Sequence, residues 1–242
     1  MQNRPYLLLQ IRNAEDPMRY QEVECFSRVL QCNPNDIRVH NLLAGEPAPA
    51  EYDACQIILL GGSGDYSAAG EGDWLERILD VLRQIHGRSQ PTFASCWGFQ
   101  AMARALGGQV VHDLSRAELG TINITKTAAA DQDPIFVRSP AIFPAQMGHE
   151  DLVIELPLDA VRLGFSERVE HQAFRFSDKP IYCTQFHPEL DLRGLMERVI
   201  AYPKYIRKIA GISVEEFRQQ CQETPAANEI LRRFVQHVHD EW

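Results

Sequence analysis

Three stretches of the chain hold side chains whose types and spacing suit nucleophilic attack on a carbonyl group. The first is Thr92-Phe-Ala-Ser-Cys96-Trp-Gly98-Phe-Gln100, where an apolar run passes straight into a helical pattern around one cysteine. A strand that turns sharply into a helix lifts the side chain at the turn above the sheet. A thiol there also sits at a helix N-terminus, whose partial positive charge favours the thiolate. Ala94 and Gly98, two residues either side of Cys96, are small enough for so tight a turn. Read alone, the same cysteine suits a buried core thiol equally well. The second stretch is Ile181-Tyr-Cys-Thr-Gln185-Phe-His187-Pro188-Glu189. Two residues apart on an extended segment, His187 and Glu189 share one side. The carboxylate can then orient the ring and stabilise its charged form while the other ring nitrogen faces a nucleophile. A lone histidine at a strand end is usually structural; a same-face glutamate and an elbow cysteine reverse that expectation. The third stretch, Ile57-Ile-Leu-Leu-Gly61-Gly62-Ser63-Gly64-Asp65, opens an apolar run into a glycine loop whose amides can hold an oxyanion. No Gly-Lys-Ser/Thr follows, so it is not a phosphate-binding P-loop.

These stretches need a scaffold, and the hydrophobic pattern outlines one. Strands are predicted at Tyr6–Ile11, Ile37–Asn41, Ile57–Leu60, Thr92–Ser95 and Gln109–Val111. Helical periodicity fills the gaps: Tyr20–Leu30 with Val23, Phe26, Val29 and Leu30 on one face, Trp74–His86 with Leu75, Ile78, Leu79, Leu82 and Ile85, and Ala101–Leu106. Solidly apolar strands alternating with helices indicate a parallel sheet covered on both faces. Beyond residue 120 the rhythm changes to short strands at Ile122–Lys126, Leu152–Glu155, Val161–Phe165, Ala173–Phe176 and Tyr182–Phe186, an antiparallel or mixed extension returning to the main sheet at the last of them. From Leu192 the chain reads as helical, with a capping box at Ser213-Val-Glu-Glu216 and a proline helix start at Thr224-Pro225. This tail is expected to pack on the core, cover the site or bind a partner.

Composition bounds the rest. At 242 residues with 45% hydrophobic and 24% charged residues, the chain is long enough to bury a full core. The net charge of −9 disfavours nucleic acid and anionic lipid as partners. The apolar run at Tyr6–Ile11 is too short to cross a bilayer or serve as a secretory signal, so a cytoplasmic location is expected. Six cysteines (25, 32, 55, 96, 183 and 221) form no CxxC pair and no zinc-like cluster, and are expected to be thiols.

In this order and spacing the stretches resemble the class I glutamine amidotransferase family, which has a Cys-x-Gly-x-Gln elbow, a later Phe-His-Pro-Glu segment and an earlier glycine loop. Met147-Gly-His149-Glu-Asp151 is similar to the His-Gly-Asp segment of the GMP-synthase-like branch, as are Glu118-Leu-Gly120 and Asp133-Pro-Ile-Phe136. Two departures stand out: Ala94 where the family usually has glycine, and a bulky Trp97 beside the nucleophile. The resemblance implies an α/β three-layer sandwich with a mostly parallel central sheet of flavodoxin-like type, a small antiparallel extension and a helical C-terminal tail. The amidotransferase domain would span 1–200, and a helical extension over 201–242 would pack on it. It implies Cys96, His187 and Glu189 as catalytic residues, the Gly62 and Trp97 amides as the oxyanion hole, and Gly64, Gln100, Gly148 and His149 as substrate-binding. Asp151 joins His149 in a supporting role, against a plain surface placement for both. The implied reaction hydrolyses a glutamine side chain through a glutamyl thioester, without metal or cofactor. Its ammonia would go to a synthetase subunit on another chain. Two readings remain beside it. One is a free-standing hydrolase of γ-glutamyl compounds using the same triad. The other is an idle subunit for interaction only, against which the intact triad argues.

Overall fold

The computed structural model describes residues 6–241. The strands in chain order are β1 (Tyr6–Gln10), β2 (Ile37–Asn41), β3 (Ile57–Leu60), β4 (Thr92–Ser95), β5 (Gln109–His112) and β6 (Glu118–Lys126). They continue with β7 (Ile142–His149), β8 (Asp151–Glu155), β9 (Ala160–Phe165), β10 (Ala173–Phe176) and β11 (Ile181–Thr184). Nine of them form one sheet in the order β2-β1-β3-β4-β11-β10-β9-β6-β7. The pairings from β2 to β11 are parallel and those from β11 to β7 antiparallel. The antiparallel extension, expected as small, thus contributes four strands beyond β11. One of them, β7, has no counterpart among the strands predicted from the sequence. Strand β5 leaves the main sheet altogether and pairs antiparallel with β8 in a separate ribbon.

The helices are α1 (Met18–Leu30), α2 (Pro49–Asp53), α3 (Asp73–Gly87), α4 (Trp97–Ala105), α5 (Leu192–Ala201), the short α6 (Pro203–Tyr205), α7 (Val214–Gln220) and α8 (Pro225–Glu241). Alternation within the central strands sorts side chains to two faces. Leu7, Leu9, Ile58, Leu60 and Ala94 join a core with Leu75, Ile78, Leu79, Leu82 and Ile85 of α3 and the apolar side of α4. Their neighbours Tyr6, Leu8, Ile57, Leu59 and Phe93 face the opposite core, with Phe26 and Val29 of α1 and Ile230, Leu231 and Phe234 of α8. Because both faces are covered, these strands read as unbroken apolar runs. The last helix therefore shares a layer with α1, and the Phe234 ring lies 5.3 Å from Phe93 and 5.7 Å from Tyr182. Among the described residues no helix is long and apolar enough to cross a membrane.

One helix face departs from its periodicity. Val23 and Leu30 of α1 are only partly buried, while Glu22 and Cys25 are fully buried. The helix is turned so that a carboxylate points inward, which apolar counting cannot foresee. That carboxylate matters to the site.

Candidate active site

Register in the parallel half brings the three stretches together. Leu60 pairs with Ala94, and Ser95 with Thr184, so β3, β4 and β11 end side by side. Adjacent strands lie about 4.8 Å apart, which places the loop after β3, the turn after β4 and the segment after β11 around one point. That point is Cys96. Its backbone adopts φ 52° and ψ −107°, a left-handed conformation an L-residue holds only when its surroundings enforce it. The enforcing contacts are visible. Cys96 N–H donates to Thr184 O at 2.8 Å, and Gly98 N–H donates to Gly61 O at 3.2 Å. A Cβ on Gly98 would meet Leu60 Cβ at 2.7 Å and Ala94 Cβ at 3.3 Å, so α4 approaches the sheet too closely for any side chain there. Ala94 itself is accommodated, and the departure from the family pattern at that position is harmless. Gly98→Ala is expected to cost about 1–3 kcal/mol of stability by overpacking against immovable atoms, read as a lowered unfolding midpoint in denaturant.

His187 and Glu189 meet as the sequence suggests. His187 Nδ1 lies 2.7 Å from Glu189 Oε1, and both residues are buried. With Nδ1 facing the carboxylate, His187 lines one cavity together with Cys96, and the two side chains flank Gly62. Burial works against a charged ring, but Glu189 and Cys96 outweigh it and hold the His187 pKa above its ordinary value. Burial likewise opposes the Glu189 charge, yet His187 and then Arg198 keep its pKa below the usual carboxylate range. The sulfur also lies 3.7 Å from Gly148 O.

Two cavities meet at Cys96. One is lined by His187, Arg198, Leu195 and Val199 with Tyr202 and Tyr205; the other by Trp97, Gln100, Asp65, His112, Glu150 and Asp151. In the helical tail α8 packs on the core, while α5 and the two tyrosines line the first cavity. Among the described residues no group of three or more His, Cys, Asp or Glu side chains could hold a metal ion.

The family model of class I glutamine amidotransferases matches residues 19–201. The chain belongs to that family. Among curated relatives, it is 27% identical over 197 residues to γ-glutamyl peptidase 4 of Arabidopsis thaliana, covering 79% of this chain and 74% of the relative. It is 32% identical over 158 residues to the glutamine-hydrolysing GMP synthase of Streptococcus pneumoniae, covering 64% of this chain and 28% of that longer protein. Among solved structures, a glutamine amidotransferase from Thermotoga maritima superposes with a TM-score of 0.74 at 22% identity, over 97% of this chain and 98% of that one. A glutamine amidotransferase from Methylobacillus flagellatus gives 0.69 at 18% identity, over 96% and 94% of the two chains. At these identities the structural likeness establishes the shared α/β fold.

Against the amidotransferase pattern, the remaining expected residues divide. Gly62 lies beside Cys96 and His187, since a Cβ there would meet His187 Cε1 at 3.0 Å and Cys96 Sγ at 3.7 Å. Its N–H, however, donates to Glu22 Oε1 at 3.2 Å, while the Gly61 carbonyl faces α4. The Gly61–Gly62 peptide therefore turns its donor away from the sulfur, and the expected oxyanion role of Gly62 is not met in this orientation. The Trp97 N–H at the first turn of α4 has no acceptor among the described residues. The bulky Trp97 side chain is buried in the same core cluster as the apolar face of α3, and the residue also lines the second cavity. Gly64 borders both cavities, and the ring of Tyr202 occupies the space a side chain would need. Gln100 commits both amide hydrogens to Asp151 O and Gln185 Oε1, at 2.9 and 3.0 Å, leaving only its carbonyl oxygen for a substrate.

His149 and Asp151 overturn the surface placement, being buried at 3% and 7% exposure. The His149 ring spans Asp151 O and Glu118 Oε2 at 3.1 and 3.2 Å, so both ring nitrogens have partners within the fold, while the residue lines the second cavity. Asp151 holds His112 Nδ1 at 2.8 Å and Ser67 Oγ at 2.6 Å at the edge of the second cavity.

Sequence reasoning missed Arg198 and Glu22 entirely. One signal existed for Arg198: Leu195, Arg198, Val199 and Tyr202 follow helical spacing, so the arginine falls on the apolar stripe of α5.

Proposed function

We propose that the chain hydrolyses the γ-carboxamide of glutamine, or of a γ-glutamyl compound, through a thioester on Cys96. The observation carrying this reading is the strained elbow cysteine held beside a histidine that a buried glutamate braces. Cys96 Sγ attacks the amide carbon, and the negative charge that develops on its oxygen is met by the Trp97 N–H. A second donor comes from Gly62 once its peptide rotates off Glu22; each such donor lowers the barrier by about 3–4 kcal/mol. His187, held protonated by Glu189, gives its Nε2 proton to the departing nitrogen. The same nitrogen then takes a proton from water, whose oxygen adds to the thioester and releases glutamate and the free thiol. The Gly64 backbone, the Gln100 carbonyl and Gly148, which line the two cavities, would receive the amino-acid end of the substrate. In the amidotransferase reading the ammonia passes to a synthetase on another chain, as the kinship with GMP synthases suggests.

A second relative supports a second reading. The 27% identity to a γ-glutamyl peptidase over 197 residues sets a γ-glutamyl peptide hydrolase beside the glutaminase. Purified chain assayed against glutamine and a panel of γ-glutamyl dipeptides separates the two. Glutamine turnover raised by a partner from cell extract favours the amidotransferase, whereas a tenfold or greater preference in kcat/KM for dipeptides favours the peptidase. No turnover of any γ-glutamyl compound would refute both.

A further inference from the structure

The buried face of α5 carries one charged group to the heart of the site. Arg198 Nη1 lies 3.2 Å from Glu189 Oε1 and 3.0 Å from His187 Nδ1, because both nitrogens converge on the same carboxylate oxygen. Its Nε donates to Gln21 Oε1 at 3.1 Å, and Nη2 lies 3.9 Å from Glu22 Oε1. Glu22 is in turn the residue that holds the Gly62 N–H, and Arg12 pairs with it from the other side at 2.9 Å. One guanidinium therefore stands between the carboxylate that braces the imidazole and the carboxylate that holds the oxyanion loop.

We propose that Arg198 is a positioning residue for the reaction, fixing the Glu189 carboxylate against His187 and opposing the proton affinity that this carboxylate confers on the ring. The inference rests on the hydrolytic reading above. Its physics is simple. A buried carboxylate with a single oxygen shared between two donors is oriented by both of them, and the planar fork of arginine fixes the direction. Glu189 raises the proton affinity of His187; a cation on the same oxygen, 3.0 Å from the ring, pulls the other way. The dyad is thereby kept from binding its proton so tightly that transfer to a leaving nitrogen becomes slow. Among the described residues, the other charged or titratable groups facing this point are Cys96 from the elbow, Cys25 and Glu22 from α1, Arg12 paired with Glu22, and Tyr202 and Tyr205 beyond α5. None of these is a second cation on the imidazole. Removing Arg198 leaves the attraction of Glu189 for the ring proton unopposed.

The test compares wild type with Arg198→Gln and Arg198→Met, with Arg198→Lys as the conservative rescue, all as full chain. Gln keeps an amide donor for Glu189 and preserves the fold if Met does not. Two readouts are taken: the pH profile of kcat/KM for the best substrate of the panel, and the His187 ring titration by NMR, its resonance identified by loss in His187→Gln. The neutral variants are expected to move the alkaline limb and the ring titration upward by about one pH unit and to lower kcat more than they raise KM. Arg198→Lys should return the limb toward the wild-type position. A neutral variant that folds with both the limb and the ring titration unmoved would overturn the inference while leaving the hydrolytic reading intact. A wild-type chain inert toward every γ-glutamyl compound would instead remove the reading on which it rests.

Discussion

Replacing Cys96 by alanine is expected to lower turnover of glutamine or any γ-glutamyl substrate by at least about 10⁴-fold, to the limit of detection. The hydroxyl of Ser95 points down, donating to Leu60 O at 3.3 Å, and Ser67 is committed to Asp151. The fold should survive, since alanine keeps a Cβ and the contacts that enforce φ 52° are backbone hydrogen bonds to Thr184 and Gly61. Cys96→Gly carries the argument further. Glycine adopts that backbone conformation without strain, so this equally inactive variant should be as stable as wild type or more so, by up to about 1 kcal/mol. Labelling gives an independent reading. Burial pushes the Cys25 thiol up to about 12 and those of Cys32 and Cys55 to about 11, and it raises Cys183 and Cys221 as well. Iodoacetamide at neutral pH should therefore modify Cys96 first, through the cavities that meet at its sulfur. Alkylation of another cysteine ahead of it, with turnover unchanged, would remove Cys96 from the mechanism.

What made the elbow legible is that its determinants are local. A strand ending at Ser95, a cysteine and a helix starting at Trp97 are covalent neighbours, and the small residues that permit the turn lie within two positions of it. The same holds for His187 and Glu189, whose contact spans two residues of one extended segment. Solid apolar strands likewise announced a sheet covered on both sides, because burial on both faces removes polar alternation. The misses are long-range. The pairing of β7 with β6 and the departure of β5 to β8 depend on register between segments whose own patterns carry no partner. Glu22 is invisible to periodicity because its reason for being buried lies in Arg12 and the Gly62 amide, 10 residues upstream and 40 residues downstream. Arg198 is a sharper case. A charge on the apolar stripe of a helix costs too much to bury unless paired, so its spacing demands a buried anion, and the chain offers Glu189 only nine residues earlier. Spacing alone thus implies the anion without identifying it, since several carboxylates stand equally close in sequence.

Glu189→Gln is the second change expected to act strongly, with kcat reduced about 10³–10⁴-fold and binding of substrate little altered. The side-chain volume is conserved, so the loss reflects chemistry more than packing. Three consequences combine. The amide can present its NH₂ to His187 Nδ1, selecting the tautomer whose proton is on the wrong nitrogen. The charge that stabilised the imidazolium is gone. Arg198 is left as a buried cation beside the ring with no carboxylate between them. The sign of the pH effect follows directly. Glu189 holds the His187 pKa above its ordinary value, so its neutralisation lets the pKa fall, and the alkaline limb of residual activity should move to lower pH. This is the reverse of the displacement expected when Arg198 is neutralised. A double variant, Glu189→Gln with Arg198→Gln, removes both opposing charges. Its limb should lie between those of the two single variants, with stability recovered relative to Glu189→Gln because no buried charge is left unpaired. If instead Glu189→Gln retained within tenfold of wild-type kcat with its limb unmoved, the imidazole would be held by something other than this carboxylate, and the triad would reduce to a cysteine and a histidine.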